Sequence, residues 1–276
     1  MKNYGLKIDK QKPEDYIFGS NLPMEVLVPS GDWTPYLPFN EAQNLNGIEP
    51  YACVAYTILN ALEMLILKQY GENKNYSDRF LAAVSGTKEG GNSPQVVCEF
   101  LRKVGVVEEG VWPFGPEINT FEKYYEPLPP KLYELAHEFN AKWDFKHEYV
   151  PDNNLAIASA LQCSPLGISV TSWYQKDGVF YQNKELVENH FTTLIKLGQY
   201  KRVFDSYDNY IKDYQLNSTH SIIKRFWIKK RPPNTQQQIS LIWRILSYLG
   251  ELVGLVAQKK ETPHLPLAPT ATTSPV

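Results

Sequence analysis

Apolar residues recur at helical spacing in the stretch that begins at Cys53. The positions that share one face are Val54, Ile58, Ala61, Leu62 and Leu65. Pro50 stands where helices tend to begin, and Gly71 stands where a helix can end on a left-handed residue. The pattern therefore predicts a helix over Cys53–Tyr70 that buries one face in a core and carries Cys53 in its first turn.

Helix signals continue through the first half of the chain, and strand signals take over in the second. Helices are predicted over 77–84, 94–104, 130–140 and 152–163, with Ser77 and Asp152 as caps, and residues 112–130 are predicted to be irregular. Alternating apolar positions predict strands over 143–150, 166–172, 179–181, 190–197, 200–206 and 221–230. This order predicts an α+β fold with an antiparallel sheet.

Residues 238–258 have an apolar pattern of a different kind, a heptad seam. The seam consists of Ile239, Ile242, Leu246, Leu249, Val253 and Val256. A helix this apolar needs a partner surface, and three are open: its own domain, a second copy of the chain, or a membrane surface. We divide the chain into a domain at 1–231, this C-terminal helix at 232–261 and a disordered Pro/Thr-rich tail at 262–276.

The composition is that of a globular protein and shows no cofactor signature. Of the 276 residues, 43% are apolar, and no metal-ligand or nucleotide-binding spacing occurs. Cys98 and Cys163 lie in apolar windows and are predicted to be core residues. Residues 1–9 lack the apolar segment of a secretory signal, so we expect a cytoplasmic protein, with peripheral membrane attachment through 238–258 left open.

Basic residues are concentrated in 215–250, where Lys or Arg occurs six times and Asp or Glu does not occur. We interpret this cluster as a solvated face. A nucleic-acid partner is not expected, because Phe226 and Trp227 alone do not provide a stacking surface. Four histidines are predicted to lie at the surface: His137, His147, His220 and His264.

Cys53 is the first candidate for chemistry. In the first turn of a helix, unpaired N–H groups and the helix dipole favour the thiolate, which is the nucleophilic form of cysteine. A lone cysteine on an apolar helix is more often a core residue, so other residues have to support the assignment. His190 and Asp205 follow Cys53 at a separation of roughly 130–150 residues, the spacing at which a base and its orienting residue follow the nucleophile in one class of thiol protease.

The residues around these side chains resemble, in chain order, the motifs of the papain-like cysteine peptidases. The motifs are Asp32-Trp33 before Gln43, Ala52-Cys53-Val54-Ala55-Tyr56, Gly90-Gly91, Trp112-Pro113-Phe114, Asn189-His190 and Phe204-Asp205-Ser206-Tyr207. Val54 replaces the family's tryptophan, Asp205 replaces its asparagine, and Gln43 lies ten residues before Cys53 instead of about six. The early disulfide of the family is absent. The chain looks like a remote branch of the kind found in bacteria and phages.

The resemblance implies a two-lobe fold, with Cys53 in a helical lobe and the other two residues in a sheet lobe. It implies that Cys53 is the nucleophile, His190 the general base and Asp205 the residue that orients the imidazole. Gln43 would donate to the oxyanion, and Asn44 and Asn46 are the alternatives because a small insertion follows Gln43. By the same resemblance Tyr207 would cover the His190–Asp205 bond. Residues 1–40 are interpreted as an extended wrapper, too short for an inhibitory propeptide domain.

The function expected from this resemblance is a cysteine-type peptidase that acts on peptides or proteins without a cofactor. Two alternatives are open. One is a peptidoglycan amidase that uses the same Cys53–His190–Asp205 set, and the other is an inert papain-like module with a structural or binding role.

Overall fold

The apolar helix predicted at Cys53 is α1 (Cys53–Tyr70) in the computed structural model, which describes residues 4–20, 22–171, 173–183 and 185–232. Every residue of α1 from Cys53 to Ile66 is buried. The prediction of one buried face is thus too narrow, because α1 is surrounded by the rest of the fold. The helix ends at Gly71, whose φ of 66° is left-handed and whose N–H donates to Leu67 O.

Five further α-helices lie in the described residues: α2 (Asp78–Val84), α3 (Pro94–Val104), α4 (Phe121–Tyr124), α5 (Pro130–Lys142) and α6 (Asn154–Leu161). Ser77 caps α2 as predicted, by accepting from Phe80 N. The predicted cap of α6 is wrong: Asn153 accepts from Ala156 N, whereas Asp152 accepts from His220 N. The short helix α4 lies in the segment that was predicted to be irregular.

The second half of the described chain forms a sheet of eight strands. They are β1 (Trp143–Tyr149), β2 (Leu166–Val170), β3 (Tyr174–Lys176), β4 (Val179–Tyr181), β5 (His190–Leu197), β6 (Lys201–Phe204), β7 (Ile211–Tyr214) and β8 (Ile223–Lys230). Their order is β1-β8-β2-β5-β6-β7-β4-β3, and all neighbours are antiparallel except β4 and β7. The α+β prediction is confirmed, although β3 and β7 were missed.

The first turns of α1 lie against β5, the strand that begins with His190. Thr57 Oγ1 donates to Phe191 O at 2.9 Å, and Thr193 Oγ1 donates to Thr57 O at 3.3 Å. Both threonines are buried. These bonds fix the start of the helix beside the start of the strand, so that Cys53 and His190 come from different halves of the fold into one region.

Several polar residues predicted at the surface are buried. Lys224 and Arg225 in β8 are 0% and 1% exposed, because both faces of this strand are covered. Arg225 is paired with Glu148 at 2.6 Å. His147 and His220 are also buried, and each has polar partners, so the prediction that these histidines are surface residues is wrong. Charges can enter a core when such partners are present.

The described residues belong to one compact unit that ends at Pro232. The helix predicted over 238–258, the tail over 262–276 and His264 lie outside the described residues. Within the described part of the chain, no helix combines the length and apolar character that crossing a bilayer requires. Cys98 and Cys163 are buried free cysteines, which confirms them as core residues.

Candidate active site

Cys53 is the first residue of α1, and its side chain is completely buried. Burial raises the pKa of the thiol well above its ordinary value, and hydrogen bonds from the backbone of Phe191 and Val54 act in the opposite direction. The neutral thiol is therefore favoured in this arrangement, in contrast to the thiolate expected at a helix N-terminus. The contact with Phe191 places the sulfur beside the residue that follows His190.

His190 and Asp205 form a buried pair. His190 begins β5, Asp205 follows the last residue of β6, and their side chains meet with His190 Nε2 2.6 Å from Asp205 Oδ1. They are 3% and 1% exposed. The other imidazole nitrogen, Nδ1, is buried and has no hydrogen-bond partner among the described residues. An imidazole held at one nitrogen presents the other as a proton acceptor.

The second oxygen of Asp205 binds a buried lysine that sequence reasoning missed. Lys212 Nζ lies 2.8 Å from Asp205 Oδ2, and the Lys212 side chain is 4% exposed. Burial would raise the pKa of the Asp205 carboxyl, but the attraction of His190 and Lys212 outweighs it and the pKa is lowered. Asp205 is consequently a carboxylate with a cation on each side whenever His190 is protonated.

Three aromatic rings surround the imidazole. The ring centroids of Tyr4, Trp173 and Tyr207 each lie 5.5 Å from that of His190. The ring of Tyr207 thus meets that of His190 edge-on, and its role as a shield of the His190–Asp205 bond stays a prediction. Trp173 was missed, because it belongs to a segment with no motif. A cavity of about 300 Å³ opens beside these rings and is lined in part by Asp205 and Lys212.

Gln43 is buried and linked to the loop that carries Asp205. Its Nε2 lies 2.9 Å from Tyr4 O, 2.7 Å from Glu49 Oε1 and 2.9 Å from Tyr207 Oη, three acceptors that share the two amide protons. Ser206 Oγ donates to its Oε1 at 3.0 Å. The amide of Gln43 thus already holds one backbone carbonyl oxygen, which is the kind of acceptor that an oxyanion donor must bind.

The alternatives to Gln43 lie elsewhere. Asn44 is exposed, and the amide of Asn46 donates to Gly115 O and Ile118 O, both at 3.0 Å. Glu49 is a further residue that the sequence did not single out. Its carboxylate accepts from Gln43 and, at 2.6 Å, from Tyr207 Oη. The hydrogen bonds of Gln43 and Glu49 therefore join the segment before α1 to the Asp205 loop.

The N-terminal segment crosses this region. Asn189 O accepts from Tyr4 N at 3.1 Å and from Leu6 N at 3.4 Å, which attaches the segment to the residue before His190. On the other side the segment pairs with Asn92, next to the Gly90-Gly91 loop. Gly91 is needed there, because a Cβ at this position would lie 1.9 Å from Gly5 O. The segment spans the space between that loop and the strand of His190.

Metal-ligating side chains do not assemble in this region. In residues 4–232, apart from the undescribed positions, no group of three or more His, Cys, Asp or Glu side chains could hold a metal ion. The chemistry that these side chains can provide is proton transfer and attack by a thiol.

Solved structures with a similar fold are cysteine proteases. Xylellain, a cysteine protease from Xylella fastidiosa, aligns over 82% of this chain and 95% of its own, with a TM-score of 0.57 and 18% identity. Bromelain from Ananas comosus, in complex with the E64 inhibitor, aligns over 70% and 96%, with a TM-score of 0.51 and 18% identity. Digestive procathepsin L 3 of Tenebrio molitor aligns over 81% and 75%, with a TM-score of 0.51 and 13% identity.

The chain therefore has the fold of the papain-like cysteine proteases. The expectation drawn from the ordered motifs is confirmed at the level of the fold. No protein-family model matches the sequence, and no similar sequence was found among curated proteins.

Proposed function

We propose that this chain is a cysteine-type peptidase in which Cys53 is the nucleophile, His190 the general base and Asp205 its orienting partner. The observation that carries the proposal is the His190–Asp205 contact of 2.6 Å, which leaves Nδ1 of the imidazole without a partner in the described residues. The strand that holds this imidazole also contacts the Cys53 sulfur through Phe191. A buried polar atom without a partner needs an explanation, and a proton acceptor for a thiol is one.

The contacts suggest the order of proton transfers. Because the Asp205 carboxylate can only accept, it keeps the proton of the neutral imidazole on Nε2 and leaves the lone pair of Nδ1 for the thiol proton. The Cys53 thiolate then adds to the carbonyl carbon of a peptide bond, and the imidazolium protonates the leaving amine. Water attacks the thioester after His190 takes one of its protons, and the second product leaves as a carboxylic acid.

The developing oxyanion would bind to Gln43 Nε2 and the backbone N–H of Cys53. The loss of one such donor typically costs about 3–4 kcal/mol of transition-state stabilisation. Gln43 Nε2 lies 2.9 Å from Tyr4 O, which supports this role, since the amide binds a peptide carbonyl there already. A substrate carbonyl would have to replace that of Tyr4.

One observation supports the alternative of an inert module. Cys53 is 0% exposed, and burial raises the pKa of its thiol, so a substrate cannot reach the sulfur without movement of its neighbours. The peptidoglycan amidase shares every residue of the site and differs only in the substrate. Membership of a bacterial or phage branch and a cytoplasmic location stay predictions.

An epoxysuccinyl probe separates the enzyme from the inert module. The full chain, Cys53→Ala and Cys98→Ala are incubated with the probe, and the adduct is located by mass mapping. We expect Cys53 to be labelled in the full chain and in Cys98→Ala, and no labelling in Cys53→Ala. An unlabelled full chain, or labelling at Cys98 alone, would rule out the peptidase. Turnover of denatured protein but not of peptidoglycan would then favour the peptidase over the amidase.

A further inference from the structure

Lys212 lies in β7, and its ammonium group binds the loop between β6 and β7. Its Nζ donates to Asp205 Oδ2 at 2.8 Å, to Tyr207 O at 3.1 Å and to Asp208 O at 3.3 Å. Three acceptors use the three protons of an ammonium group. The loop is closed by a backbone bond from Asp205 N to Tyr210 O at 2.7 Å. Lys212 therefore holds the Asp205 carboxylate and the backbone around it in a single arrangement.

The charge of Lys212 has consequences for His190. A buried carboxylate without a counter-ion would hold an adjacent imidazolium strongly and resist its deprotonation. Here one oxygen of Asp205 faces His190 at 2.6 Å and the other faces Lys212 at 2.8 Å. The ammonium offsets the carboxylate charge, while the hydrogen bond to the imidazole is kept. The buried Asp205–Lys212 pair offers His190 an oriented acceptor with little net charge, much as a neutral amide would.

We propose that Lys212 is a positioning residue of the active site, which acts on His190 through Asp205 by fixing the carboxylate and offsetting its charge. The proposal rests on the proposed function of the Cys53–His190–Asp205 set. It explains how a carboxylate can stand where the papain-like peptidases have asparagine. The two positions are expected to depend on each other, so that a neutral residue at one requires a neutral residue at the other.

Other ionisable groups near the pair come from several elements. They are Cys53 at the start of α1, Glu49 before it, Tyr4 of the N-terminal segment, and Tyr207 and Asp208 of the loop. All of them are retained in every variant in which Lys212 or Asp205 is replaced by a neutral residue of similar size. Differences between such variants therefore report on the Asp205–Lys212 pair.

The test is the pH dependence of Cys53 alkylation by iodoacetate. The thiolate is the group that reacts, and the neighbouring imidazolium accelerates this anionic reagent. The alkylation rate therefore falls on the alkaline side, where His190 loses its proton. Lys212→Met leaves the carboxylate charge unbalanced and should move the alkaline limb of the pH–rate profile up by about one pH unit. Asp205→Asn leaves the ammonium unbalanced and should move it down by about the same amount. The double variant should return to within a few tenths of a unit of the wild type.

Two controls address folding. Lys212→Arg keeps the charge and should leave the alkaline limb in place. Lys201→Met removes another buried lysine of the sheet, bound to Ser218 O and to His220, and should lower stability without moving the limb. If Lys212→Met does not fold, the comparison of Asp205→Asn with the double variant still decides the question. The proposal requires the limb of the double variant to lie higher.

The outcomes are distinct. Single variants that leave the alkaline limb unchanged, or that move it in the same direction, overturn the role of Lys212 while the peptidase proposal survives. A wild-type pH–rate profile that lacks an alkaline limb, as expected for an isolated thiol, overturns both proposals. Opposite shifts that cancel in the double variant support the charge-offset role, because a purely structural lysine would not produce them.

Discussion

If Gln43 binds a substrate carbonyl as proposed, the N-terminal segment has to leave its place first. A single methyl group added at Gly5 offers a way to move the segment. Gly5 has a φ of +115°, and a Cβ there would lie 2.1 Å from Tyr51 O. Backbone cannot yield at such a contact, so Gly5→Ala should dislodge residues 4–7. If these residues compete with substrate, the variant should react faster.

The size of the effect follows from the contacts. Among the hydrogen bonds that hold the segment, four join its backbone to Asn189 and Asn92 and a fifth joins Gln43 Nε2 to Tyr4 O. Each is worth about 1 kcal/mol net, and the burial of Leu6, which is 4% exposed, adds about 2 kcal/mol. Ordering four residues costs about 6 kcal/mol. A balance of about 1 kcal/mol remains, which corresponds to about a 5-fold acceleration when the segment is removed.

The assay is the second-order rate of Cys53 labelling by the epoxysuccinyl probe, which requires no knowledge of the substrate. Gly19→Ala is the matched control, because Gly19 has a φ of +87° and nothing within 4 Å of a Cβ. It introduces similar backbone strain without the clash. Equal labelling rates for Gly5→Ala, Gly19→Ala and the wild type would refute the reasoning, as would a slower rate for Gly5→Ala with its fold intact.

Three more predictions follow from the chain. Cys53→Ala should abolish turnover, whereas Cys98→Ala should keep it. Because both thiols are completely buried, each variant should lose about 1 kcal/mol by chemical denaturation. Burial raises the pKa of the Glu109 carboxyl from 4.5 to about 7. The contribution of protonated Glu109 to the free energy of unfolding is therefore complete below about pH 4.5 and is lost as the pH rises through about 7. Glu109→Gln can still accept the hydrogen bond from Phe114 N. In this variant the loss of folding stability across that pH range, measured by melting curves, should be smaller by about 1–2 kcal/mol. A chain that ends at residue 233 should stay folded, active and monomeric, while the full chain should oligomerise in light scattering or bind anionic vesicles in flotation. A full chain that is monomeric and does not bind vesicles, or a truncated chain that unfolds, would contradict this prediction.

The parts of the site that the sequence predicted are those with a local signal. Cys53 follows from a long apolar helix and its start, and His190 and Asp205 follow from strand patterns and their separation from Cys53. Lys212 and Glu49 carry no such signal. Each is placed by a contact across the fold, Lys212 against Asp205 and Glu49 against Gln43 and Tyr207, and a charged residue in a short segment is ordinarily a surface residue.

The prediction that the basic residues of β8 are solvated is wrong for the same reason, since contacts across the fold leave no local signal in the sequence. Lys224 lies in a strand whose residues are buried on both faces, so that alternation of polar and apolar residues does not mark its environment. Its ammonium lies 3.3 Å from the ring centroid of Tyr149 and 2.5 Å from Gln95 Oε1. These partners belong to β1 and α3, and they are far away in the sequence. Burial of a charge depends on partners that periodicity cannot reveal.

The ten-residue separation of Gln43 from Cys53, one of the departures from the papain-like motifs, is accommodated by backbone conformation. Between them a 3₁₀ turn at Leu45–Gly47 reverses the chain, with Asn46 at a φ of 58° and Gly47 at a φ of 74°. The Asn46 side chain fastens this turn to the segment after α3, through Gly115 O and Ile118 O. On the other side Gln43 N donates to Ser206 O at 2.8 Å. The additional residues are thus taken up in a turn that is anchored at Gly115 and Ile118, and Gln43 is attached directly to the loop of Asp205. The number of residues between Gln43 and Cys53 therefore matters less for the position of Gln43 than the contacts that hold the connecting segment.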